Sequence, residues 1–449
     1  MQPAEFLKKL PISDFSVHCI GIGGIGVSAL AELLWEGGFQ VSGSDAEFNS
    51  ICRYLKDLGI AVAPAGHRAE NVPAGGCGAV IMTSAVNLNN PEAVELLRHS
   101  AIAWNRGEFL GELCRCYRRP VMVAGSHGKS STSAMLGWIL RKLNVDAGLL
   151  IGARYNSPDR NARLGNGDIL VAEADESDGT HALQTGELAL ITNIDGDHAW
   201  NDAAIAEQER KFRIFAGNFC KTFYIASENT CRILASCSNA EAVSPEKFKY
   251  LDSLIPGKML GYERSNGILA LAGAEYLGCD LFKAAEALNS YPGIQRRQSV
   301  IATANEGKLT VLEDYAHHPQ ELACSLEVMK MRYPEHKLIA VFQPHRYRRL
   351  LRYFKDFVRI LSDKSLKVYV LPVFCAWEQP LIDGLESADL VNAINSEGGS
   401  AELLDIDDPG KTAAKLIRQN SGSDPALLAL IGAGDIDRLA GALAATAAK

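Results

Sequence analysis

The amino-acid sequence predicts an α/β protein in which strands and helices alternate around largely parallel sheets. Short apolar runs of strand length precede stretches with the apolar spacing of a helix, which is typical of stacked α/β units. Two of these strand–helix pairs are joined by glycine-rich turns. The 449 residues allow about three domains, because a domain has about 150 residues.

The predicted strands are distributed over the whole chain. The first, Phe15–Ile20, ends at a glycine and is followed by the helical pattern Val27–Trp35. Domain joins are predicted near residues 115–120 and 291–297, and the Ala-rich tail from Ala440 predicts a final helix. The other predicted strands are Val41–Ser44, Ala79–Thr83, Val121–Ala124, Ile169–Ala172, Leu188–Thr192, Thr310–Leu312, Leu338–Phe342, Lys367–Leu371 and Leu427–Ile431.

Composition and charge exclude several classes of protein. Hydrophobic residues make up 47% and charged residues 22%, which excludes collagen, a coiled coil and wholesale disorder. The net charge of −8 provides no overall basic field for a nucleic-acid backbone. The 11 cysteines show no repeated C-x-x-C pair, so we expect reduced thiols. Since there is neither a signal peptide nor an apolar run of about 18 residues, we expect a cytoplasmic protein without a membrane segment.

The first glycine turn follows the first predicted strand. Gly21, Gly23 and Gly26 form G-x-G-x-x-G, and Asp45 stands at the end of the second strand. This spacing is typical of a dinucleotide-binding turn with its acidic ribose partner, in which a diphosphate lies at the helix N-terminus. The pattern indicates a diphosphate more firmly than a nicotinamide. A dehydrogenase and a tight turn without a ligand are the alternatives.

The second glycine turn, Gly125–Ser130, lies between the strand Val121–Ala124 and a helical run. It resembles a mononucleotide phosphate loop, although Val123 stands where the strict G-x-x-x-x-G-K-[ST] pattern has glycine. Lys129 would bridge the β- and γ-phosphates, and Ser130 would offer its hydroxyl to Mg²⁺. An exposed lysine in a plain glycine turn is the alternative interpretation.

Acidic side chains follow the next two strands. Residues 173–178 read EADESD and contain four carboxylates, and residues 193–198 read NIDGDH. Mg²⁺ prefers hard oxygen ligands, so a carboxylate at such a strand end is a natural partner for Ser130. Glu173 and His198 are therefore candidate metal ligands, and a solvated acidic loop is the alternative.

These motifs together resemble the Mur ligases of peptidoglycan synthesis, in order and over nearly the whole chain. The resemblance implies an N-terminal Rossmann-like UDP-sugar-binding domain at 1–118, a central P-loop ATPase domain at 119–294 and a C-terminal Rossmann-like ligase domain at 295–449. Folylpolyglutamate synthases have similar ATPase loops but lack the opening domain. The motifs are HCIGIGGIGVSALAELL, SGSD, MTSAVNLNNPE, NRGEFLGEL, GSHGKSST, EADESD, NIDGDH, EDYAHHPQE, FQPHRYRR and IGAGDI.

The resemblance implies an ATP-dependent ligase that joins L-alanine to the lactyl carboxylate of UDP-N-acetylmuramate through an acyl phosphate, in the service of cell-wall synthesis. Its partners would be ATP, UDP-N-acetylmuramate and L-alanine, with Mg²⁺ as cofactor and with neither nucleic acid nor membrane. Lys129 would hold the phosphates, while Ser130, Glu173 and His198 match the positions that ligate Mg²⁺. Asn193 is a weaker candidate for positioning substrate.

The remaining site residues also follow from the resemblance. Only Asn266 survives of the family's adenine motif H-N-x-x-N-A, since Tyr262 and Glu263 stand where His-Asn is expected. The matching ATP-binding positions are Gly125, Ser126, His127, Gly128, Lys129, Ser130, Ser131 and Asn266. The matching UDP-sugar positions are Gly21, Gly23, Gly24, Gly26, Asp45, Ser84 and Ala85.

Basic and acidic side chains cluster after two strands of the third domain. His318 and Arg346 are the predicted catalytic groups there. Arginine suits phosphate and carboxylate oxygens, and a nearby histidine or aspartate, which the sequence does not single out, could accept the proton of the amine. A solvated charge at a helix start is the alternative for each arginine. Arg296 and Arg297 match a family pair, or mark a hinge. The neighbouring candidates are Asp314, His317, His345, Arg348 and Arg349.

Two alternatives stay open for the function. The segment between His198 and Pro256 is shorter than we expect for an alanine-adding ligase. A related Mur ligase that adds a peptide, as a murein peptide ligase does, or another amino acid is therefore one alternative. A non-catalytic sensor of a UDP-sugar is the other. A dehydrogenase ranks last, because a nicotinamide enzyme has no use for the second phosphate loop.

Overall fold

Three β-sheets with connecting helices organise the chain in the computed structural model. The chain divides into two compact units, Met1–Pro292 and Gly293–Lys449, and the first unit holds two of the sheets. The residues that the structure describes are 5–12, 14–83, 85–87, 89–99, 101–196, 201–244, 246, 248–376, 378–379 and 384–447.

The first sheet consists of β1 (Ser16–Ile20), β2 (Gln40–Ser44), β3 (Ala61–Val62), β4 (Ala79–Met82) and β5 (Ile102–Asn105). Its helices are α1 (Ile25–Glu36), α2 (Ser50–Asp57), α3 (Pro91–Arg98) and α4 (Arg106–Cys116). The strand order is β3-β2-β1-β4-β5, with parallel pairings. The order reverses between β1 and β4, and such a reversal is where parallel α/β sheets bind ligands.

The second sheet consists of β6 (Arg119–Ala124), β7 (Gly148–Leu150), β8 (Ala162–Arg163), β9 (Ile169–Glu173), β10 (Gly186–Ile191), β11 (Phe219–Ile225) and β12 (Ala240–Val243). Its helices are α5 (Lys129–Lys142), α6 (Asp202–Gly217), α7 (Glu228–Leu234), α8 (Lys249–Leu254), α9 (Gly261–Tyr276) and α10 (Leu281–Asn289). The order is β12-β11-β10-β6-β9-β7-β8, and β8 pairs antiparallel to β7. Because β6, β9 and β10 are parallel neighbours, the loops that follow them share one edge.

The second unit contains β13 (Ser299–Ala304), β14 (Leu309–Asp314), β15 (Lys337–Phe342), β16 (Lys367–Val370), β17 (Ala401–Leu403) and β18 (Ala426–Ile431). Its helices are α11 (Pro319–Arg332), α12 (Tyr347–Arg352), α13 (Phe354–Leu361), α14 (Ser387–Ser396), α15 (Pro409–Asn420) and α16 (Ile436–Ala447). The order is β13-β14-β18-β15-β16-β17, and β13 alone among these strands pairs antiparallel.

Burial explains why these segments form strands. Val121, Met122 and Val123 of β6 are fully buried, and all six residues of β18 are buried. A parallel sheet covered on both faces needs such continuous apolar runs. Among the described residues, no helix is long and apolar enough to cross a membrane.

The predicted α/β class with mostly parallel sheets is confirmed, and each predicted strand is present. The final helix begins at Ile436, four residues earlier than the Ala-rich tail predicts. The domain bounds 1–118, 119–294 and 295–449 stay predictions.

Candidate active site at two glycine turns and an acidic strand end

The first glycine turn contacts the predicted acid directly. Gly21 has φ +83°, and the N–H groups of Gly21 and Ile22 donate to the Ser44 carbonyl at 2.8 and 3.0 Å. The Gly23 N–H donates to Asp45 Oδ2 at 2.8 Å, and a Cβ at position 23 would lie 2.9 Å from that oxygen. Helix α1 begins after Gly24 without a capping side chain. Its first N–H groups therefore remain available to an anion.

Position 26 must be glycine because an arginine side chain from α4 packs against it. A Cβ at position 26 would lie 2.8 Å from Cδ of Arg106. The Arg106 guanidinium forms an ion pair with Asp175 at 3.2 Å, which links the first sheet to the acidic segment of the second. Burial raises the pKa of Asp175, but the charges of Lys129 and Arg106 outweigh this and lower it to about 2.

The second glycine turn is held from behind by Asn193, which follows β10. The Asn193 side chain accepts from the His127 N–H at 2.8 Å and donates to the His127 carbonyl at 3.0 Å. Gly128 has φ +83°, and a Cβ there would lie 2.8 Å from Oδ1 of the buried Asn266. Helix α5 begins after Gly128 without a capping side chain. As at the first glycine turn, the N–H groups at the start of the helix therefore remain available to an anion.

Lys129 lies within this turn. Its Nζ donates to the Gly125 carbonyl at 2.6 Å and to Glu176 Oε2 at 2.8 Å. Burial lowers the pKa of Lys129, but the charges of Glu176 and Asp175 outweigh it, so the pKa lies above its ordinary value. The ammonium group is thus charged and directed at the mouth of the turn, as a phosphate-binding lysine must be.

Ser130 and Glu173 are brought together as the sequence predicts for metal ligands. The Ser130 hydroxyl donates to Glu173 Oε2 at 2.9 Å, and the Ser133 hydroxyl donates to Oε1 at 2.9 Å. The Gly152 N–H donates to Oε1 at 2.5 Å. A hydroxyl and a carboxylate oxygen fit Mg²⁺, which takes few protein ligands and fills its octahedron with waters and phosphate oxygens. His198, the third predicted ligand, lies outside the described residues.

The four carboxylates of the EADESD segment have four different partners. Glu176 is buried, so the alternative of a solvated acidic loop is wrong for this residue. The pairs are Glu173 with Ser130, Asp175 with Arg106, Glu176 with Lys129, and Asp178 with Thr180.

A cavity connects the first glycine turn with the predicted metal ligands. It encloses about 340 Å³ of empty space, part of which is open to solvent. Its wall combines the charged side chains of Arg106 and Glu173 with apolar residues. The lining residues are Gly26, Ala29, Leu30, Arg106, Leu110, Leu150, Ile151, Gly152 and Glu173.

In the second unit, the predicted basic residues separate into buried and exposed groups. Arg349 is 1% exposed and its Nη1 lies 3.0 Å from His345 Nδ1, so a solvated charge is wrong for this arginine. Arg348 is exposed. Arg346 has φ +70°, and its N–H donates to the Phe374 carbonyl at 2.8 Å.

The neighbouring histidines His317 and His318 differ in burial, since His318 is buried and His317 is half-buried. His318 is 3% exposed, caps α11 and packs edge-on against Tyr353 with ring centroids 4.6 Å apart. His317 faces His345 at 5.5 Å between centroids. Burial raises the pKa of Asp314, which accepts the Ser325 hydroxyl at 2.9 Å. His318 therefore also has a structural role at the start of α11.

Comparison with known proteins identifies the family. One family model, described as Mur ligase family, catalytic domain, matches residues 16–118, and another, described as Mur ligase, glutamate ligase domain, matches residues 296–434. A UDP-N-acetylmuramate--L-alanine ligase of Desulforapulum autotrophicum is 33% identical over 454 residues, covering 95% of this chain and 97% of its own length. The chain belongs to the Mur ligase family. The family expected from the motifs is confirmed.

Solved structures show the same Mur ligase fold. A UDP-N-acetylmuramate-alanine ligase of Thermotoga maritima has a TM-score of 0.78 at 24% identity, over 96% of this chain and 98% of that chain. A murein peptide ligase of Psychrobacter arcticus has a TM-score of 0.66 at 21% identity, over 96% and 98%. Both likenesses concern the fold, and they confirm an α/β protein with N-terminal, central and C-terminal domains.

The structure of this Mur ligase places most predicted residues at the two turns. Gly21, Gly23, Gly24, Gly26 and Asp45 form the first, while Gly125 to Ser131 form the second with Asn266 beside it. Ala85 is exposed in the loop after β4, and Ser84 lies outside the described residues. The role of each residue stays a prediction.

Two partners at the site were missed by sequence reasoning. Arg106 and Glu176 were not singled out individually, although both lie within the motifs NRGEFLGEL and EADESD. Asn193, expected to position substrate, uses its side chain on the backbone of His127. Arg296 pairs with Glu313 at 2.8 Å inside the second unit.

Proposed function

We propose that this Mur ligase joins L-alanine to the lactyl carboxylate of UDP-N-acetylmuramate with hydrolysis of ATP to ADP and phosphate. The observation that carries the proposal is the cavity whose wall includes both Gly26 of the first turn and Glu173. A sugar nucleotide held by its diphosphate at the first turn can extend along this cavity toward the second. Relatives of nearly the same length, named for this reaction, support the choice of substrates.

In the first step, a carboxylate oxygen of the sugar attacks the γ-phosphorus of ATP, the bond to the β-phosphate oxygen breaks, and an acyl phosphate and ADP form. Two anions must meet, so catalysis depends on alignment and on neutralising charge. Lys129 supplies a fixed positive charge at the turn, and the N-terminus of α5 supplies N–H donors. Ser130 and Glu173 would hold Mg²⁺, which when bound neutralises charge on the phosphate oxygens.

In the second step, the neutral amine of L-alanine attacks the acyl carbon, phosphate leaves, and the amine gives up a proton. Residues of the second unit, His318 and Arg346 among them, are the proposed groups for binding the amino acid and handling its proton. Two of the substrates, ATP and UDP-N-acetylmuramate, are nucleotides of the cell interior, so we place the enzyme in the cytoplasm.

An acceptor screen tests the proposal. ADP release is measured with UDP-N-acetylmuramate, ATP and Mg²⁺, and with L-alanine, glycine, L-serine or a tripeptide with a free amino terminus as acceptor. We expect L-alanine to give the highest kcat/KM and omission of Mg²⁺ to abolish turnover. Turnover with the tripeptide alone would contradict the L-alanine assignment and favour a peptide-adding ligase. If the protein binds the UDP-sugar but forms no ADP with any of the acceptors, the result would instead indicate a sensor.

A further inference from the structure

A buried carboxylate of the first sheet has no part in the proposed chemistry. Glu92, in the first turn of α3, is fully buried. Its Oε2 accepts the Ser44 hydroxyl at 2.5 Å, and its Oε1 accepts from Asn71 Nδ2 at 2.7 Å and from the Arg68 N–H at 3.1 Å. Both oxygens are therefore occupied by donors that come from other segments of the chain.

Two imidazoles complete this network. His18 of β1 donates through Nε2 to Glu92 at 3.0 Å, and its Nδ1 lies 2.8 Å from the Ser42 hydroxyl. His67 Nδ1 lies 3.4 Å from the same carboxylate. Burial raises the pKa of Glu92, but the hydrogen bonds of His18, Ser44 and Asn71 outweigh it and lower the pKa to about 2. Glu92 is thus a buried anion that is stabilised by hydrogen bonds to both of its carboxylate oxygens.

One connection runs from Glu92 to the first glycine turn through Ser44. The Ser44 side chain is held by Glu92, while its backbone carbonyl accepts the N–H groups of Gly21 and Ile22 at 2.8 and 3.0 Å. Any rotation of the Ser44 peptide therefore moves the turn itself.

A second connection runs from Glu92 to Asp45 through Asn71. The Asn71 amide donates to Glu92 and also to the Gly66 carbonyl at 2.9 Å. The Gly66 N–H in turn donates to the Asp45 carbonyl at 2.9 Å. The backbone on both sides of Asp45 is thus tied to one carboxylate.

We propose that Glu92 is a positioning residue of the sugar-nucleotide subsite, which it serves by holding the Gly21–Gly26 turn and Asp45 in the geometry that receives the diphosphate and ribose. The inference rests on the proposed function in so far as a UDP-sugar is the ligand of this turn. The connections through Ser44 and Asn71 carry it, since together they reach both elements of the subsite and none of the ATP turn.

The test is Glu92→Gln, with Glu32→Gln as the matched control. Turned one way, the side-chain NH₂ of Glu92→Gln faces two N–H donors, those of Asn71 and Arg68. Turned the other way, it faces Ser44 and His18, which must then accept a hydrogen bond where they now donate one. Glu32 is a second buried carboxylate of the same unit, and its Oε1 contacts Tyr54 and Arg160. Calorimetry gives the Kd for UDP and for UDP-N-acetylmuramate, and initial rates give the KM of each substrate.

For Glu92→Gln we expect the Kd for UDP and the KM for the UDP-sugar to rise about tenfold, with the KM for ATP unchanged, since either orientation of the amide forces the hydrogen bonds of Asn71 or of Ser44 to rearrange. Glu32→Gln should leave all of these constants unchanged. An unchanged Kd for UDP in folded Glu92→Gln, or an equal rise in the KM for ATP, would overturn the proposal.

Two outcomes separate this inference from the proposed function. If the wild-type protein binds neither UDP nor UDP-N-acetylmuramate, the proposed function fails. If the wild-type protein binds both and Glu92→Gln binds them equally well, only the positioning role fails. Should Glu92→Gln not fold, Ser44→Ala removes one of the two connections with a smaller change, and an unaltered Kd for UDP in that variant refutes the inference.

Discussion

His181 makes a quantitative prediction about acid stability. It lies fully buried in the short 3₁₀ helix Thr180–Leu183, with ring centroids 4.7 Å from Phe212 and 5.9 Å from Phe215. Among the described residues, neither of its ring nitrogens has a hydrogen-bond partner. Burial, with the charge of Lys211 adding to it, lowers the pKa of His181 from 6.5 to about 4. The folded unit therefore keeps this imidazole neutral when the unfolded chain already protonates it.

The free energy follows from the two pKa values of His181. Above pH 6.5 the imidazole is neutral in both states and costs nothing. As the pH falls from 6.5 toward 4, the unfolded state binds a proton that the folded state does not, so stability is lost in this range. Since one pKa unit is about 1.4 kcal/mol, the loss is about 2.5 kcal/mol at pH 4.5 and about 3 kcal/mol below pH 4.

The perturbation is His181→Phe, which keeps an aromatic ring in the pocket and removes the titration. Thermal unfolding midpoints of the wild type and the variant are compared between pH 7.5 and 4.5. Between pH 7.5 and 4.5 the wild type loses about 2.5 kcal/mol of stability that the variant keeps. The unfolding midpoint of the variant relative to the wild type should therefore be about 5 °C higher at pH 4.5 than at pH 7.5. The change of packing is constant with pH and cancels.

His99→Phe is the control for the substitution itself, because the His99 ring is partly exposed at the surface and is not enclosed as the His181 ring is. Its midpoint should follow the wild type at every pH. A constant difference between His181→Phe and the wild type from pH 7.5 to 4.5 would refute the reasoning, since it would mean that His181 is protonated as readily folded as unfolded.

Three further predictions concern the ATP turn. Lys129→Ala should lower kcat by at least about 10²-fold, because it removes a donor that stabilises charge in the transition state. Binding of UDP-N-acetylmuramate, measured by calorimetry, should persist. The control, Lys142→Ala at the far end of α5, should be active. Gly128→Ala should cost about 1–2 kcal/mol of stability and raise the KM for ATP, because its φ of +83° and the contact with Asn266 disfavour a side chain; an unchanged KM would contradict this. Glu176→Gln should tighten binding of Mg²⁺-free ATP in a calorimetric titration, since the carboxylate competes with phosphate for Lys129; equal affinity would show no competition.

The long buried strands could be predicted from the sequence, and the short edge strands could not. β6 and β18 are continuous apolar runs because both faces of their sheets are covered. By contrast, the edge strands β3 and β8 have two residues each. At such edges neighbouring strands impose the extended conformation, so local composition carries little signal.

The candidate site follows the same rule. Lys129, Ser130 and Glu173 could be predicted because each stands at the end of a strand or the start of a helix, where parallel topology directs it to one edge. The ion pair of Arg106 with Asp175 joins residues that are far apart in the sequence, and it forms only when the two sheets are packed together. Contacts of this kind depend on tertiary packing, which periodicity does not encode.

The two glycine turns are built in the same way, and we propose that they bind different ligands. In each, the backbone is held from behind by a neighbouring strand end, by Ser44 at the first turn and by Asn193 at the second. In each, the helix that follows begins without a capping side chain and can receive an anion. Charge then separates the ligands. The first turn, GIGGIG, contains no basic residue, although Arg106 lies beside Gly26, and it adjoins Asp45, which suits a diphosphate whose ribose offers hydroxyl donors. The second turn contains Lys129 among carboxylates, a balance that favours a triphosphate arriving with its own divalent cation.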